Sequence, residues 1–362
     1  MAVNISDSIA SPSGSSTMLG TSDIYLAFDI ALNCFGNILV SILGILGNTL
    51  NILVLRKYGL RDSTTILLFS LSVCDLLYVL STPVLRISCL VSFFDSLLAV
   101  SIESLAFAYV GMFNRLTNLL SVSHIGIISV ERFTAVYFPF SVSRIFTVTR
   151  TKQLLVLLYL AQTLSVSPLF AIFTYQWVYI PEYNHTLALV ESSMFYTENY
   201  QQINSYSFIF LNVCGTVLTL VIVLFTGAAI SAKLLLTSAQ RKTMTSSTAA
   251  RNSKSSREGA DAKALKMIGV ICAIFVLIFG PASGWDLYGY ALLGGEFYTN
   301  SLYVAVQRFF DFLYTVNASV NFLIYVSMSG KFRATYKKLF LHSHNTVTRT
   351  SESKTGPKTS MS

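Results

Sequence analysis

The chain has 362 residues, of which 53% are hydrophobic and only 12% are charged, and its mean hydropathy is +0.61. Soluble domains carry about 25% charged residues, so this composition excludes an ordinary soluble protein. The net charge of +8 has the sign of a nucleic-acid-binding protein, but the basic residues flank apolar segments, which excludes that class as well. A membrane protein is the class that fits.

Seven long segments of the chain are almost free of charged residues. A helix needs about 20 apolar residues to cross a bilayer, and each segment is long enough. The alternating segments of a membrane β-barrel do not occur. The sequence therefore predicts an all-α membrane protein, a bundle of seven transmembrane helices. The segments are 30–55, 62–86, 103–131, 153–181, 199–232, 267–285 and 312–330.

The basic residues predict the orientation of the bundle. All but three of the 25 lysines and arginines lie in alternate connecting segments and in the C-terminal region. By the positive-inside rule the N-terminus is outside and the C-terminus is cytoplasmic. The three exceptions, Arg86, Arg115 and Arg308, lie within or beside predicted spans.

Four regions follow along the chain. An extracellular tail covers residues 1–26 and the seven-helix domain covers residues 27–328. Basic and apolar residues alternate in 329–341, which predicts an amphipathic helix in the membrane interface. The Ser/Thr-rich segment 342–362 is predicted to be a disordered cytoplasmic tail that accepts phosphate groups, or a solvated tail without a regulatory role.

Two sequons and two cysteines lie on the predicted outer side. Asn4 and Asn184 each begin an Asn-x-Ser/Thr triplet and are predicted glycosylation sites. Cys34 and Cys89 lie near the outer ends of adjacent spans, and both a disulfide and two free thiols remain open.

Asp75 is an ionisable residue in the middle of the second span. Such a residue is costly in a membrane and indicates function. Its carboxylate needs a cation, a proton or hydrogen-bond donors. Bound Na⁺ as an allosteric ion and a structural network without an ion are the two alternatives, and no other cofactor is expected. The predicted polar neighbours are Asn48, Ser121, Asn317 and Asn321.

Arg132 follows Glu131 at the inner end of the third span, and Asp261 lies at the start of the sixth. An Arg132–Asp261 pair would form a latch between two helix ends. Because a latch is useful only if the helices move, this pattern favours a switch over a static pore.

These motifs resemble the rhodopsin-like (class A) family of G-protein-coupled receptors over about residues 30–341. Each motif is short, but all of them occur in register with the seven spans. They are Gly47-Asn48, Leu71–Leu76 around Asp75, Glu131-Arg132-Phe133 with Pro139, Pro281, the set Asn317, Asn321 and Tyr325, and Phe332.

The resemblance implies a plasma-membrane receptor whose partners are an extracellular ligand, a heterotrimeric G protein, and arrestin and receptor kinases at the tail. It implies that Arg132 releases Asp261 when the sixth span swings outward. It assigns G-protein docking to Pro139 and Phe140, relay of ligand contact to Phe275 and Phe279, and support of the open state to Tyr325.

The chain also departs from the family pattern. Phe322 replaces the proline after Asn321, and Phe279 replaces the tryptophan of the sixth span. The usual disulfide would need a cysteine at Phe107 and another within 176–204, and neither is present. We therefore expect a less constrained outer loop. These losses are similar to those of a divergent branch, the molluscan chemosensory-type receptors, which resemble FMRFamide-like peptide receptors.

Two other function classes are weaker. A transporter or channel would show repeats and paired broken helices, which the sequence lacks. An intramembrane enzyme would need a catalytic pair, yet no H-E-x-x-H motif occurs and no Ser–His pair is expected in the spans, where His124 is the only histidine. A retinal-binding receptor would need a lysine in the seventh span, and 303–330 has none.

The ligand class rests on a few charged residues in the outer half of the bundle. Asn114 stands where amine receptors of the family carry aspartate, which disfavours a monoamine. Arginine suits planar recognition of a carboxylate, so an anionic ligand, a peptide or a small chemosensory molecule, is one alternative and mutual charge pairing is the other. The charged residues are Arg86, Arg115, Asp286, Arg308 and Asp311.

Overall fold

The computed structural model describes Phe28 and residues 30–182, 184–243, 252–292, 301–328 and 330–340. Within these residues, seven helices are long and apolar enough to cross a membrane, which confirms the predicted seven-helix bundle. We number them as spans one to seven: Ile30–Tyr58, Ser63–Val91, Ser96–Tyr137, Val148–Ala171, Tyr200–Lys233, Gly269–Leu292 and Leu302–Ser327.

The first four spans are joined by short connections that fix their antiparallel order. Asp62 and Asp95 end the first two of these connections, and each carboxylate accepts a hydrogen bond from a backbone N–H in the first turn of the helix that follows. The helical segments are a π-helical turn Ile30–Gly36, the α-helices Asn37–Tyr58, Ser63–Val91, Ser96–Tyr137, Pro139–Ile145 and Val148–Val166, and a 3₁₀ turn Ser167–Ala171.

The second half of the chain carries the remaining spans and a C-terminal helix. Span five contains a π-helical segment, Ser207–Val217. Pro281 lies inside the helix of span six. The α-helices are Met194–Glu198, Tyr200–Tyr206, Leu218–Thr243, Asn252–Leu292, Ser301–Met328 and the C-terminal helix Gly330–Phe340.

A β-hairpin connects spans four and five. Strand β1, Phe173–Ile180, pairs antiparallel with strand β2, His185–Ser192, in a register that sets Phe173 opposite Ser192. The backbone N–H of Ala188 on β2 donates a hydrogen bond of 3.1 Å to the Oγ of Ser101 on span three. The outer loop, which the sequence analysis expected to be less constrained, is therefore an ordered hairpin attached to the bundle.

Cys34 and Cys89 form a disulfide, with their Cα atoms 5.8 Å apart. The bond joins spans one and two and settles the alternative that the sequence left open. We call this end of the bundle, which also carries the hairpin, the Cys34 end. The opposite end, where span three finishes, is the Arg132 end.

The helices pack closely at the family's Gly47-Asn48 motif. A Cβ atom added to Gly47 would lie 3.0 Å from the Cβ of Phe322 on span seven, so only glycine fits this approach without a shift. The Nδ2 of Asn48 donates a hydrogen bond of 2.8 Å to the carbonyl oxygen of Ala318. These contacts position span seven, which carries residues of the ligand cavity and of the Asp75 cluster described next.

Candidate functional site

A cavity of about 790 Å³ opens at the Cys34 end of the bundle. Residues of all seven spans line it, together with Phe173 of β1. The structure brings all six predicted ligand-binding residues into its wall: Arg86, Asn114, Arg115, Asp286, Arg308 and Asp311.

Two of these residues neutralise each other. Arg86 Nη2 donates to Asp311 Oδ2 over 2.9 Å and joins spans two and seven. The buried Nε of Arg86 and the buried Oε1 of Gln307, which also lines the cavity, have no hydrogen-bond partner among the described residues. Both atoms can therefore form hydrogen bonds with a molecule bound in the cavity. Such bonds would remove the free-energy cost of leaving buried polar atoms unpaired.

Arg115 and Asp286 form a second charged pair without direct contact. The Nη2 of Arg115 donates to the Oδ1 of Asn212 on span five over 3.2 Å. Asp286 is half-buried on span six, and among the described residues its carboxylate has no hydrogen bond or ion pair. The charges of Arg115 and Asp286 interact across the cavity. A ligand placed between them would contact both.

Asn114 points to span two. Its Nδ2 donates to the Oγ of Ser81 over 2.8 Å and lies 3.2 Å from the Oγ1 of Thr82. These bonds use its donor group, so Asn114 offers the cavity a weaker contact than Arg115 does.

Glu103 of span three also lines the cavity, and it was not among the ligand-binding residues that the sequence predicted. With Glu103 the charged lining is three arginines and three carboxylates. The charged residues that line the cavity are therefore balanced, three positive and three negative. Asn212 was missed as well; a polar residue inside an apolar span was the available signal.

Asp75 is fully buried in the middle of the bundle. Ser121 Oγ donates to its Oδ1 over 2.6 Å, and Asn321 Nδ2 donates to its Oδ2 over 2.7 Å. Asn317 is buried one helical turn before Asn321. Asn48 bonds to the backbone of span seven and not to the carboxylate.

Arg132 lies near the end of span three, at the Arg132 end of the bundle. Its Nε donates to Glu131 Oε2 over 2.5 Å, and its Nη2 donates to Thr64 Oγ1 on span two. Glu131 Oε1 also accepts a hydrogen bond from the Thr64 hydroxyl at 2.9 Å. The side chain of Asp261 lies outside the described residues, so the Arg132–Asp261 latch stays a prediction.

The other residues assigned to activation lie between the cavity and the Arg132 end, or at that end. Phe140 follows Pro139 and is 96% exposed. The buried rings of Phe275 and Phe279 stack with centroids 4.6 Å apart, and Phe279 stacks on Tyr314 at 4.7 Å. Tyr325 is buried against Phe332, and its hydroxyl has no partner among the described residues.

A Ser–His pair does occur within the spans, which corrects the sequence expectation. The Oγ of Ser70 lies 2.8 Å from the Nε2 of His124, and the Nδ1 of His124 lies 2.6 Å from the carbonyl oxygen of Leu120. Both side chains are buried, and Ser70 also bonds to the hydroxyl of Tyr159. The two residues are distant in sequence, and the facing of spans two and three brings them together. Neither residue lines the cavity, and their contact joins spans two and three.

Of the two predicted glycosylation sites, Asn184 lies in the turn between β1 and β2 at a φ of 51°, and its Oδ1 accepts a hydrogen bond from Tyr179. Asn4 lies outside the described residues.

The chain was compared with known families and with curated proteins. A family model described as 7 transmembrane receptor (rhodopsin family) matches residues 47–325. A comparison with curated proteins gives no match. The matched residues include the Asp75 and Arg132 clusters and most of the cavity wall.

Proposed function

The chain belongs to the rhodopsin family of seven-transmembrane receptors, and from that premise we propose that it couples an extracellular ligand to nucleotide exchange on a heterotrimeric G protein. The family and the seven spans make it a multi-pass membrane receptor and favour a receptor over a transporter, a channel or an enzyme. The proposed location is the plasma membrane, with the Cys34 end outside and the Arg132 end in the cytoplasm.

The observation that carries this proposal is that two polar sites lie at opposite ends of the bundle and are separated by buried side chains of its core. The cavity at the Cys34 end holds unpaired buried polar atoms. Arg132 and the exposed Phe140 lie at the opposite end. Coupling between two such sites requires two arrangements of the helices between them. The stacked rings of Phe275, Phe279 and Tyr314 lie on spans six and seven in that interval.

The proposed ligand is a peptide or a small chemosensory molecule with an anionic or amide group. That group would meet Arg115, whose planar guanidinium is held by Asn212. Asp286 would accept a hydrogen bond from a donor on the same ligand. The balanced charge of the cavity supports a ligand that carries both kinds of group, as a peptide does. The resemblance to FMRFamide-like peptide receptors is consistent with an amidated peptide.

Asp75 is the proposed site of an allosteric Na⁺. The carboxylate is buried and accepts two hydrogen bonds, which leaves lone pairs free. Among the described residues no cation compensates its charge. Carboxylate, hydroxyl and amide oxygens are hard donors that suit Na⁺, so Asp75, Ser121, Asn317 and Asn321 would hold the ion.

The sodium proposal is tested by thermal unfolding of the purified receptor in NaCl against choline chloride at equal ionic strength. Ligand linkage predicts that NaCl raises the unfolding temperature of the unmodified chain and not of Asp75→Asn. Equal unfolding temperatures in the two salts for the unmodified chain would contradict bound sodium.

The latch between Arg132 and Asp261 completes the proposed mechanism. It is tested by basal nucleotide exchange, with no ligand, on purified G-protein heterotrimers of several classes. Asp261→Ala should raise basal exchange because Arg132 is released, whereas Glu258→Gln, a nearby loss of one acid, should not. Unchanged exchange for Asp261→Ala would overturn the latch.

Arrestin and receptor kinases are proposed partners of the tail 342–362, which lies outside the described residues. This part of the proposal rests on its serines and threonines.

A further inference from the structure

Span three ends at Tyr137, two residues before Pro139. Proline has no backbone N–H and cannot continue the hydrogen-bond ladder of a helix, so carbonyl oxygens in the last turn of span three lose intrahelical donors. The chain turns at Phe138 and continues as the short helix Pro139–Ile145. Val136 lies in that last turn, and its carbonyl oxygen needs a donor from elsewhere in the bundle or from water.

Lys233 of span five supplies a donor to this carbonyl. Its Nζ donates to the carbonyl oxygen of Val136 over 2.6 Å, and it lies 4.5 Å from the centroid of the Tyr137 ring. Lysine side chains can bond to the last carbonyl oxygens of a helix, and an ammonium group is attracted to the face of an aromatic ring. Lys233 therefore caps the end of span three from a neighbouring helix.

The cap is the last of three contacts that join spans three and five at the Arg132 end. The ring of Phe133 lies 6.0 Å from that of Phe225. One turn further along each helix, the hydroxyl of Tyr137 donates to the carbonyl oxygen of Ala229 over 2.8 Å. Lys233 lies one more turn along span five. Because residues four apart share a helix face, the three contacts form one line and fix the two helix ends relative to each other.

The capped end of span three carries the segment that presents Phe140. This residue is the second of the helix Pro139–Ile145 and is 96% exposed. No side chain of that helix is buried, so the helix has little packing of its own and its direction depends on the end of span three. An aromatic side chain with this exposure is typical of a surface that contacts a partner.

We propose that Lys233 is a positioning residue that holds Phe140 in the direction required for contact with the G protein, an inference that rests on the proposed function. Without the cap, the carbonyl of Val136 loses its donor and the last turn of span three frays. The helix Pro139–Ile145 then takes several directions, and only a fraction of the molecules present Phe140 correctly. A partner binds such a population more weakly in proportion to that fraction, while the bound complex stays the same.

The test compares three substitutions in the purified full-length chain. Lys233→Met keeps the length of the side chain and removes the donor. Lys233→Arg keeps a donor and a cation above the ring, and it serves as the conservative rescue. Lys152→Met, which removes an exposed lysine at the same end of the bundle, is the matched control.

Hydrogen exchange of the amides in 136–146 measures the segment directly and needs neither a ligand nor a G protein. We expect exchange in Lys233→Met to rise by about fivefold or more, and exchange in Lys233→Arg and Lys152→Met to stay within about twofold of the unmodified chain. Unchanged protection in Lys233→Met, or an equal rise in Lys152→Met, would overturn the proposal.

Basal nucleotide exchange over a series of heterotrimer concentrations, with no ligand, separates positioning from stability. We expect Lys233→Met to raise the concentration for half-maximal exchange by about fivefold or more at an unchanged maximal rate, with recovery in Lys233→Arg. A fall in the maximal rate alone would assign Lys233 a structural role and overturn the proposal. If no heterotrimer responds to the unmodified chain, the proposed function fails, and hydrogen exchange alone decides whether Lys233 holds the segment.

Discussion

The ring of Phe107 on span three packs edge-on against the ring of Phe173 on β1, with centroids 4.9 Å apart. Phe107 stands where the family pattern has a cysteine that ties this hairpin down. Two residues further along each element, the rings of Tyr109 and Tyr175 lie 5.6 Å apart. These two aromatic contacts and the hydrogen bond from Ala188 hold the hairpin against span three, where the family pattern has a disulfide.

Phe107→Ala should loosen the hairpin without unfolding the bundle. An aromatic pair contributes about 0.5–1.5 kcal/mol, so local opening should increase roughly two- to tenfold. Hydrogen exchange of the amides in 173–180 measures this opening. Phe94→Ala, at a side chain that is 92% exposed, is the control and should leave exchange unchanged. Unchanged protection of β1 in Phe107→Ala would show that the aromatic contact does not hold the hairpin.

The Cys34–Cys89 bond should stabilise the bundle because it restricts the unfolded chain. Replacing either cysteine by serine removes the same bond, so the two single variants and the double variant should lose the same amount, about 2–4 kcal/mol. Thermal unfolding with and without reductant measures the loss. Cys214→Ser, at an exposed free thiol, is the matched control. If reductant leaves the unfolding temperature of the unmodified chain unchanged, the bond contributes nothing.

Tyr325→Phe should separate stability from signalling. Its hydroxyl is buried without a hydrogen-bond partner among the described residues. Burying such an unpaired group lowers the stability of the fold by about 1–3 kcal/mol. The variant should therefore unfold at the same or a higher temperature, while nucleotide exchange falls because the open arrangement loses a supporting hydroxyl.

Tyr137→Phe is the contrast to Tyr325→Phe. The hydroxyl of Tyr137 donates to the carbonyl oxygen of Ala229 over 2.8 Å, so its removal should lower stability by about 1 kcal/mol. A comparable loss of stability in Tyr325→Phe would mean that its hydroxyl is bonded in this arrangement.

Arg115→Ala should lower the potency of the best agonist in a panel of peptides, acids and amines by at least about tenfold, or 1.4 kcal/mol. Arg115→Lys should recover only part, since an ammonium cannot reproduce the planar fork. Lys152→Ala, at the Arg132 end, is the control, and surface expression is measured for each variant. Full potency of Arg115→Ala at normal surface levels would assign the arginine a structural role.

Sequence alone predicted the parts of the molecule that local composition determines. The spans follow from the absence of charge, and the Asp75 cluster follows from short motifs on spans two, three and seven. The hairpin was missed because β1 is itself uncharged and follows span four directly, so the apolar segment 153–181 merged a helix with a strand. Aromatic and β-branched residues in 173–180 were the available signal.

The site residues that were missed depend on helix length and rotation. Span three begins at Ser96, seven residues before its charge-free segment, so Glu103 lies inside the helix and lines the cavity. Asn212 lies within the π-helical segment of span five and bonds to Arg115, and the sequence does not predict which residues of that segment face span three. The sequence singled out Cys34 and Cys89 as a candidate pair, but only the packing of spans one and two shows that the two residues are bonded.

The measurement that tests the central claim most directly is agonist-stimulated nucleotide exchange. Membranes with the unmodified chain or Arg132→Ala at equal surface levels are combined with purified G-protein heterotrimers and screened with amidated peptides, acidic peptides, small acids and monoamines. We expect at least one peptide or acid to raise exchange with the unmodified chain and not with Arg132→Ala. Ligand-induced ion flux in liposomes, with no exchange on any heterotrimer, would contradict the account.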